Sequence, residues 1–206
     1  MITRRRRRPA VVGLALALVV QAIATAHAQL PAPRSHTGRL LVATEAMRDT
    51  RFARTVIYLV RHDATGALGF VINVPITDVP YERALKPFDL EAPLASGTVR
   101  VYYGGPVEDR RAFVLHSPDW TVETTAVVDG GFAVTEDPRV LQAIARGAGP
   151  KRSLFMLGYT GWAPGQLDAE LTTGAWAVAR ADARLVFDED PRQKWIEAMT
   201  RRLLDL

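Results

Sequence analysis

Between Leu157 and Leu171 the chain reads LGYTGWAPGQLDAEL, and the side chains there that could do chemistry are Tyr159, Trp162, Gln166 and Glu170. Gln166 and Glu170 stand four apart, which on a helix puts both on one face. The apolar run Ser153 to Leu157 has strand length, and Gln166 to Leu171 has helical spacing with Leu167 and Leu171 on a second face. The expectation is a strand, a glycine-rich turn containing Gly158, Gly161 and Gly165, and a helix start. Such a turn offers unpaired N–H groups at the positive end of a helix dipole, a seat for an anion. A plainer reading is that the glycines allow positive φ while Tyr159 and Trp162 cap the core. The spacing fits neither the phosphate-loop nor the dinucleotide GxGxxG pattern.

Other candidates stand at strand ends, where sites are often built: Arg54 before Thr55 to Arg61, Asn73 with Pro75 after Leu68 to Ile72, and His116 closing Ala112 to His116. Arg54 could grip a carboxylate or phosphate, or form a surface ion pair. His116 could be a general base or a structural histidine. Gly104-Gly105-Pro106 could bring backbone close to a ligand, or simply turn the chain. There is no G-x-S-x-G elbow, HExxH or CxxC, and His62-Asp63 and His116 with Asp119 are too sparse for a metal site. No metal and no cofactor is expected. Two functions fit these residues. One is a non-catalytic module whose pocket of Arg54, Asn73, Tyr159, Trp162 and Gln166 takes a small polar ligand or a protein partner. The other is a hydrolase-type enzyme with His116 or Glu170 as acid–base and Arg54 holding an anionic substrate.

Behind these residues lies a chain of 206, 48% hydrophobic, enough for one well-buried domain. Short β-rich runs at Arg39 to Ala43, Thr55 to Arg61, Leu68 to Ile72, Val99 to Tyr103, Ala112 to His116 and Phe132 to Thr135, set between Gly, Pro and Asp, predict an antiparallel-rich sheet system. His62 to Gly66 reads as a hairpin loop. Asp137-Pro138 and Asp190-Pro191 each open a helix; the first sends Val140, Leu141 and Ile144 inward and stops near Gly147, and the second carries Trp195, Ile196, Met199 and Leu203 as its apolar stripe.

The N-terminus has the anatomy of a secretory signal peptide: Arg4 to Arg8, an apolar run from Ala10 to Ala24, and Ala26-His27-Ala28 as the cleavage site. Cleavage after Ala28 is expected to yield a periplasmic or secreted protein with no stable membrane span, residues 29–37 being a disordered leader and 38–206 a single domain. The alternative is an uncleaved membrane anchor. Residues 1–28 hold five of the 26 Lys plus Arg and none of the 22 Asp plus Glu, so the mature chain has 21 against 22, a net charge of −1. That balance argues against nucleic acid as a partner. With no cysteine, neither a disulfide nor a thiolate site can form.

GRLLVATEAMRDTRFARTVIYLVRHDATGALGFVINVPI, VYYGGPVEDRRAFVLHSP and LGYTGWAPGQLDAELTTGAWAV resemble, in order, the signature blocks of the AlgH/YqgE family, and LVFDEDPRQKWIEAMTRR resembles its C-terminal helix. The resemblance covers about Gly38 to Leu206. It implies an α+β fold of coiled, bifurcated, largely antiparallel β-sheets flanked by helices, no established enzyme activity, and an old label of transcriptional regulator. Its recurring residues fall on Phe52, Arg54, Asn73, Pro75, Gly104, Gly105, Pro106, His116, Gly158, Tyr159, Gly161, Trp162, Gln166, Leu167 and Glu170. Val74 stands where the family usually has Lys or Arg, which weakens an anion site here.

Overall fold

Burial alternates residue by residue along Ser153–Trp162 from half-buried to buried, as a strand with two covered faces requires. This strand, β9 in chain order, organises the rest. The computed structural model describes residues 35–91, 97–128, 131–188 and 190–204. The expected signal peptide and most of the leader lie outside them, while Ser35–Thr37 are held to strand β2 (Val56–Asp63): Ser35 Oγ donates to the His62 carbonyl at 2.8 Å and His62 N–H to Thr37 Oγ1 at 2.9 Å.

The other strands are β1 (Arg39–Ala43), β3 (Gly66–Val71), β4 (Pro75–Pro80), β5 (Thr98–Tyr103), β6 (Val107–His116), β7 (Ala126–Val128), β8 (Phe132–Thr135) and β10 (Trp176–Arg180). The sheet runs β10-β1-β2-β3-β9-β6-β8-β7. It forks at β9: the C-terminal half pairs with β3 (Trp162 opposite Ala67), whereas the N-terminal half pairs in parallel with β5 (Phe155 opposite Val101), which carries β4 on its far edge. Every other pairing is antiparallel, and with its flanking helices the fold is α+β.

Three backbone segments meet at the fork. Gly104 N–H donates to the Leu157 carbonyl at 2.8 Å, and the Gly104 carbonyl accepts from Val71 N–H at 2.9 Å. A Cβ on Gly104 would lie 2.2 Å from the Gly158 carbonyl oxygen, and one on Gly158 2.4 Å from that of Gly105, so only glycine lets the segments approach this closely. The glycine-rich turn expected after Leu157 is therefore a bent strand. Gly158, at φ +71, redirects β9 to a new partner, and the turn itself is only Ala163–Gly165.

Leu40, Val42, Val56 and Tyr58 face one core, while Leu41, Ala43, Ile57 and Leu59 face another. Coverage on both sides explains why β1 and β2 read as continuous apolar runs. Helix α4 (Pro191–Leu204) packs on β10, β1 and β2 from the first side, and α3 (Gln166–Thr172) on β10 and β3 from the second. Helices α1 (Tyr81–Leu85) and α2 (Arg139–Ala145) pack on each other, and Asp137 caps α2 by accepting from Arg139 N–H at 2.9 Å. One detail of the α4 stripe is corrected: Ile196 is 54% exposed, and Lys194 and Ala198 are the fully buried residues. The stripe turns because the Lys194 ammonium reaches inward to the Ile72 carbonyl and Trp195 Nε1 donates to the Ala43 carbonyl at 2.7 Å. No helix among the described residues is long and apolar enough to cross a membrane.

Candidate functional site

Gln166 and Glu170 lie on one face of α3, as their spacing predicts, and Gln166 Nε2 donates to Glu170 Oε1 at 2.9 Å. Two indoles converge on the other oxygen: Trp162 Nε1 donates to Glu170 Oε2 at 2.9 Å and Trp176 Nε1 to the same atom at 2.7 Å. The two tryptophans are buried, Trp162 from the end of β9 and Trp176 from the start of β10. Their rings meet edge to face with centroids 6.2 Å apart, and Phe52 sets its edge against Trp176 at 5.9 Å. Glu170 thus accepts three N–H bonds, two of them at one oxygen.

This cluster walls a hollow of about 200 Å³, lined also by Met47, Asp49, Arg51, Pro106, Thr160 and Gly161. Asp49 and Arg51 form a bidentate pair at its rim, with Arg51 Nη2 2.7 Å from Asp49 Oδ2, and the Arg51 guanidinium beside it holds the Asp49 carboxyl below the usual carboxylate range. Arg51 also lies over the Phe52 ring, 5.7 Å from its centroid. The Ala163 N–H, which opens the turn before α3, donates to Gln166 Oε1 at 3.1 Å, so the expected anion seat is partly filled by the chain itself. Among the described residues no three His, Asp or Glu side chains come together as a metal site would need.

The AlgH-like family model matches residues 40–206. The chain belongs to the AlgH-like family. A UPF0301 protein of Afipia carboxidovorans is 40% identical over 177 residues, covering 82% of this chain and 84% of the relative. One from Cereibacter sphaeroides is 42% identical, covering 77% and 87%. The solution structure of the AlgH protein from Pseudomonas aeruginosa superposes with a TM-score of 0.71 at 38% identity, over 84% of this chain and 92% of that one. A crystal structure of a Corynebacterium diphtheriae protein gives 0.61 at 23% identity, over 84% and 87%, a likeness of fold.

Within this AlgH-like chain the remaining predicted residues are dispersed. Asn73 is a backbone bridge: its Oδ1 accepts from Val56 N–H at 2.8 Å and its Nδ2 donates to the Arg54 carbonyl at 2.9 Å. Arg54, at φ +57, stacks its guanidinium on Trp195 at 5.5 Å. Pro75 begins β4, an edge strand, where its missing N–H costs no ladder bond. Tyr159 points to the opposite face of β9 from Trp162, packs on Phe113 and donates its hydroxyl to Glu108 at 3.3 Å. Leu167 is the buried residue of α3.

His116 is fully buried at the far end of β9, opposite Ser153. Its Nδ1 bonds to the Ser117 carbonyl at 2.8 Å, which places the ring proton there and leaves Nε2 without a partner, and burial pushes its pKa below the ordinary value of 6.5. His116 thus sits at the Ser153 end of β9, whereas Glu170 is bonded to Trp162 at the other end, nine residues along the strand.

Trp176, Asp49 and Arg51 escaped sequence reasoning. The first is delivered by β10 pairing with β1, a register the local pattern does not reveal; the Asp-x-Arg spacing that caps the turn Thr50–Phe52 was a legible signal. His62, weighed in the sequence only as a metal pair with Asp63 and as the start of a hairpin loop, is a buried residue of β2 with Nε2 3.6 Å from Asp168 of α3, and it stacks on His36 at 5.5 Å. A larger hollow of about 560 Å³ on the opposite face, walled by Val60, Leu68, Phe70, Phe113 and Val134, contains none of the predicted site residues.

Proposed function

We propose that this chain is a non-catalytic binding module, exported by its N-terminal signal and cleaved after Ala28, whose small polar ligand or partner segment enters the hollow beside Glu170. The carrying observation is a carboxylate fixed by Trp162, Trp176 and Gln166 at an aromatic wall, with no second acid–base group among the described residues hydrogen-bonded to it. The Thr160 hydroxyl is directed at the Gly104 carbonyl, and Asp49 is engaged by Arg51. The hydrolase alternative needs Arg54 and His116 beside Glu170; the stacking of Arg54 on Trp195 and the burial of His116 at the other end of β9 weigh against it. The export reading rests on the signal-peptide anatomy of residues 4–28. An intact mass starting at Gln29 in the extracytoplasmic fraction is expected, and an unprocessed cytoplasmic chain would overturn it.

The four tryptophans provide the binding assay. In a screen of small polar fragments, the indole N–H resonances of Trp162 and Trp176 are expected to shift saturably while those of Trp120 and Trp195 stay in place. A screen in which neither resonance responds, or turnover of hydrolase substrates above a His116→Ala control, would overturn the binding reading.

A further inference from the structure

The chemistry of the Glu170 hollow selects the charge of what enters it, an inference that rests on the binding reading above. Each of the three groups holding the Glu170 carboxylate is neutral: two indole N–H groups and a side-chain amide. Those bonds fix its orientation without supplying a counter-charge, and a carboxylate at a wall of buried aromatics gains most from a cation brought close. Both indole N–H groups are turned onto Glu170 rather than into the hollow, so the inner wall offers aromatic faces and a carboxylate, which suits a donor and not an acceptor.

The rim carries the same sign. Asp49 and Arg51 offset each other, leaving the lining with a net charge of −1. The chain's own Arg51 already lies over Phe52 at 5.7 Å, so this aromatic wall accepts a cation at close range. At about 200 Å³ the hollow has room for a small headgroup. Arg54, the expected anion-binding group, is stacked on Trp195 instead.

We infer that the site captures a cationic nitrogen headgroup, a small ammonium or guanidinium, with Glu170 as its counter-charge and Phe52, Trp162 and Trp176 as its aromatic wall. Such a ligand has the opposite charge to the anionic substrate of the hydrolase alternative.

The test titrates the full mature protein with charge-matched probes, following the Trp162 and Trp176 indole resonances. Methylguanidinium and n-butylammonium are expected to bind at least fivefold more tightly than their neutral counterparts urea and n-butanol, and butyrate is expected to give no saturable shift. Glu170→Gln, which keeps one acceptor oxygen, is expected to weaken both cations at least fivefold. Asp49→Asn, at the exposed rim and with an amide oxygen that can still cap the turn, is expected to weaken them about twofold. Saturable binding of urea, n-butanol or butyrate as tight as that of the cations would overturn the cation and leave the pocket standing. Cation affinity unchanged in both variants would also overturn it. Silence from every probe would remove the pocket together with this inference.

Discussion

Gly158→Ala is expected to lower the stability of the folded chain by about 3 to 5 kcal/mol, since it combines a left-handed backbone with overpacking. The added methyl carbon would sit 2.4 Å from the Gly105 carbonyl oxygen and 2.9 Å from that of Val107, both backbone atoms that cannot rotate away. Relief would require separating the Gly104-Gly105 crossing from β9 and giving up the bonds that join β3, β5 and β9 at the fork. Gly174→Ala is the control: its φ of +73 is close to the +71 of Gly158 but nothing lies within 4 Å of the new carbon, so about 1 kcal/mol of backbone strain is all it should cost. Urea unfolding followed by tryptophan fluorescence compares the two. Equal midpoints would mean that the fork does not depend on close backbone approach.

Glu170→Ala is expected to cost about 3 kcal/mol, because it strands two buried indole N–H donors at roughly 1 to 3 kcal/mol each. For a domain of this size that lowers the thermal midpoint by about 6 to 12 °C. Glu170→Gln retains a carbonyl acceptor and is expected to lose about half as much. Indole hydrogen exchange localises the effect: both Trp162 and Trp176 should exchange faster in the alanine variant, and Trp195, bonded to the Ala43 carbonyl, should not. A midpoint within 2 °C of the parent would show that the indoles find other acceptors and that Glu170 does not organise the cluster.

The parts of the fold that were legible are those where local chemistry decides. Arg39 to Ala43 and Phe132 to Thr135 are strands with the expected bounds, Asp63 pairs with Gly66 across the expected hairpin, and Asp137 caps its helix. Strands β4 and β10 were missed for opposite reasons. The first begins and ends in proline, tolerated only because it lies at an edge, and the second is rich in alanine, which carries little strand signal. The turn at Gly158 to Gly161 was misread because a glycine in a strand and a glycine in a turn look alike until the crossing chain is seen. In the site, Trp162, Gln166 and Glu170 were legible from a single stretch. Asn73, Arg54 and His116 had the right types for chemistry but serve backbone bridging, stacking and core packing, roles set by partners distant in sequence.

The position of β9 also decides when the molecule can exist. Strands β3, β5 and β6 all border it, and β1 needs β10 as its second neighbour, so strands from the first half of the chain wait on residues 153–180 to complete the sheet. A nascent chain that has released only its first 150 residues has open edges and no closed core. Closure is thus an event of the last quarter of synthesis, and until then the sheet's unpaired edges stand open to other chains.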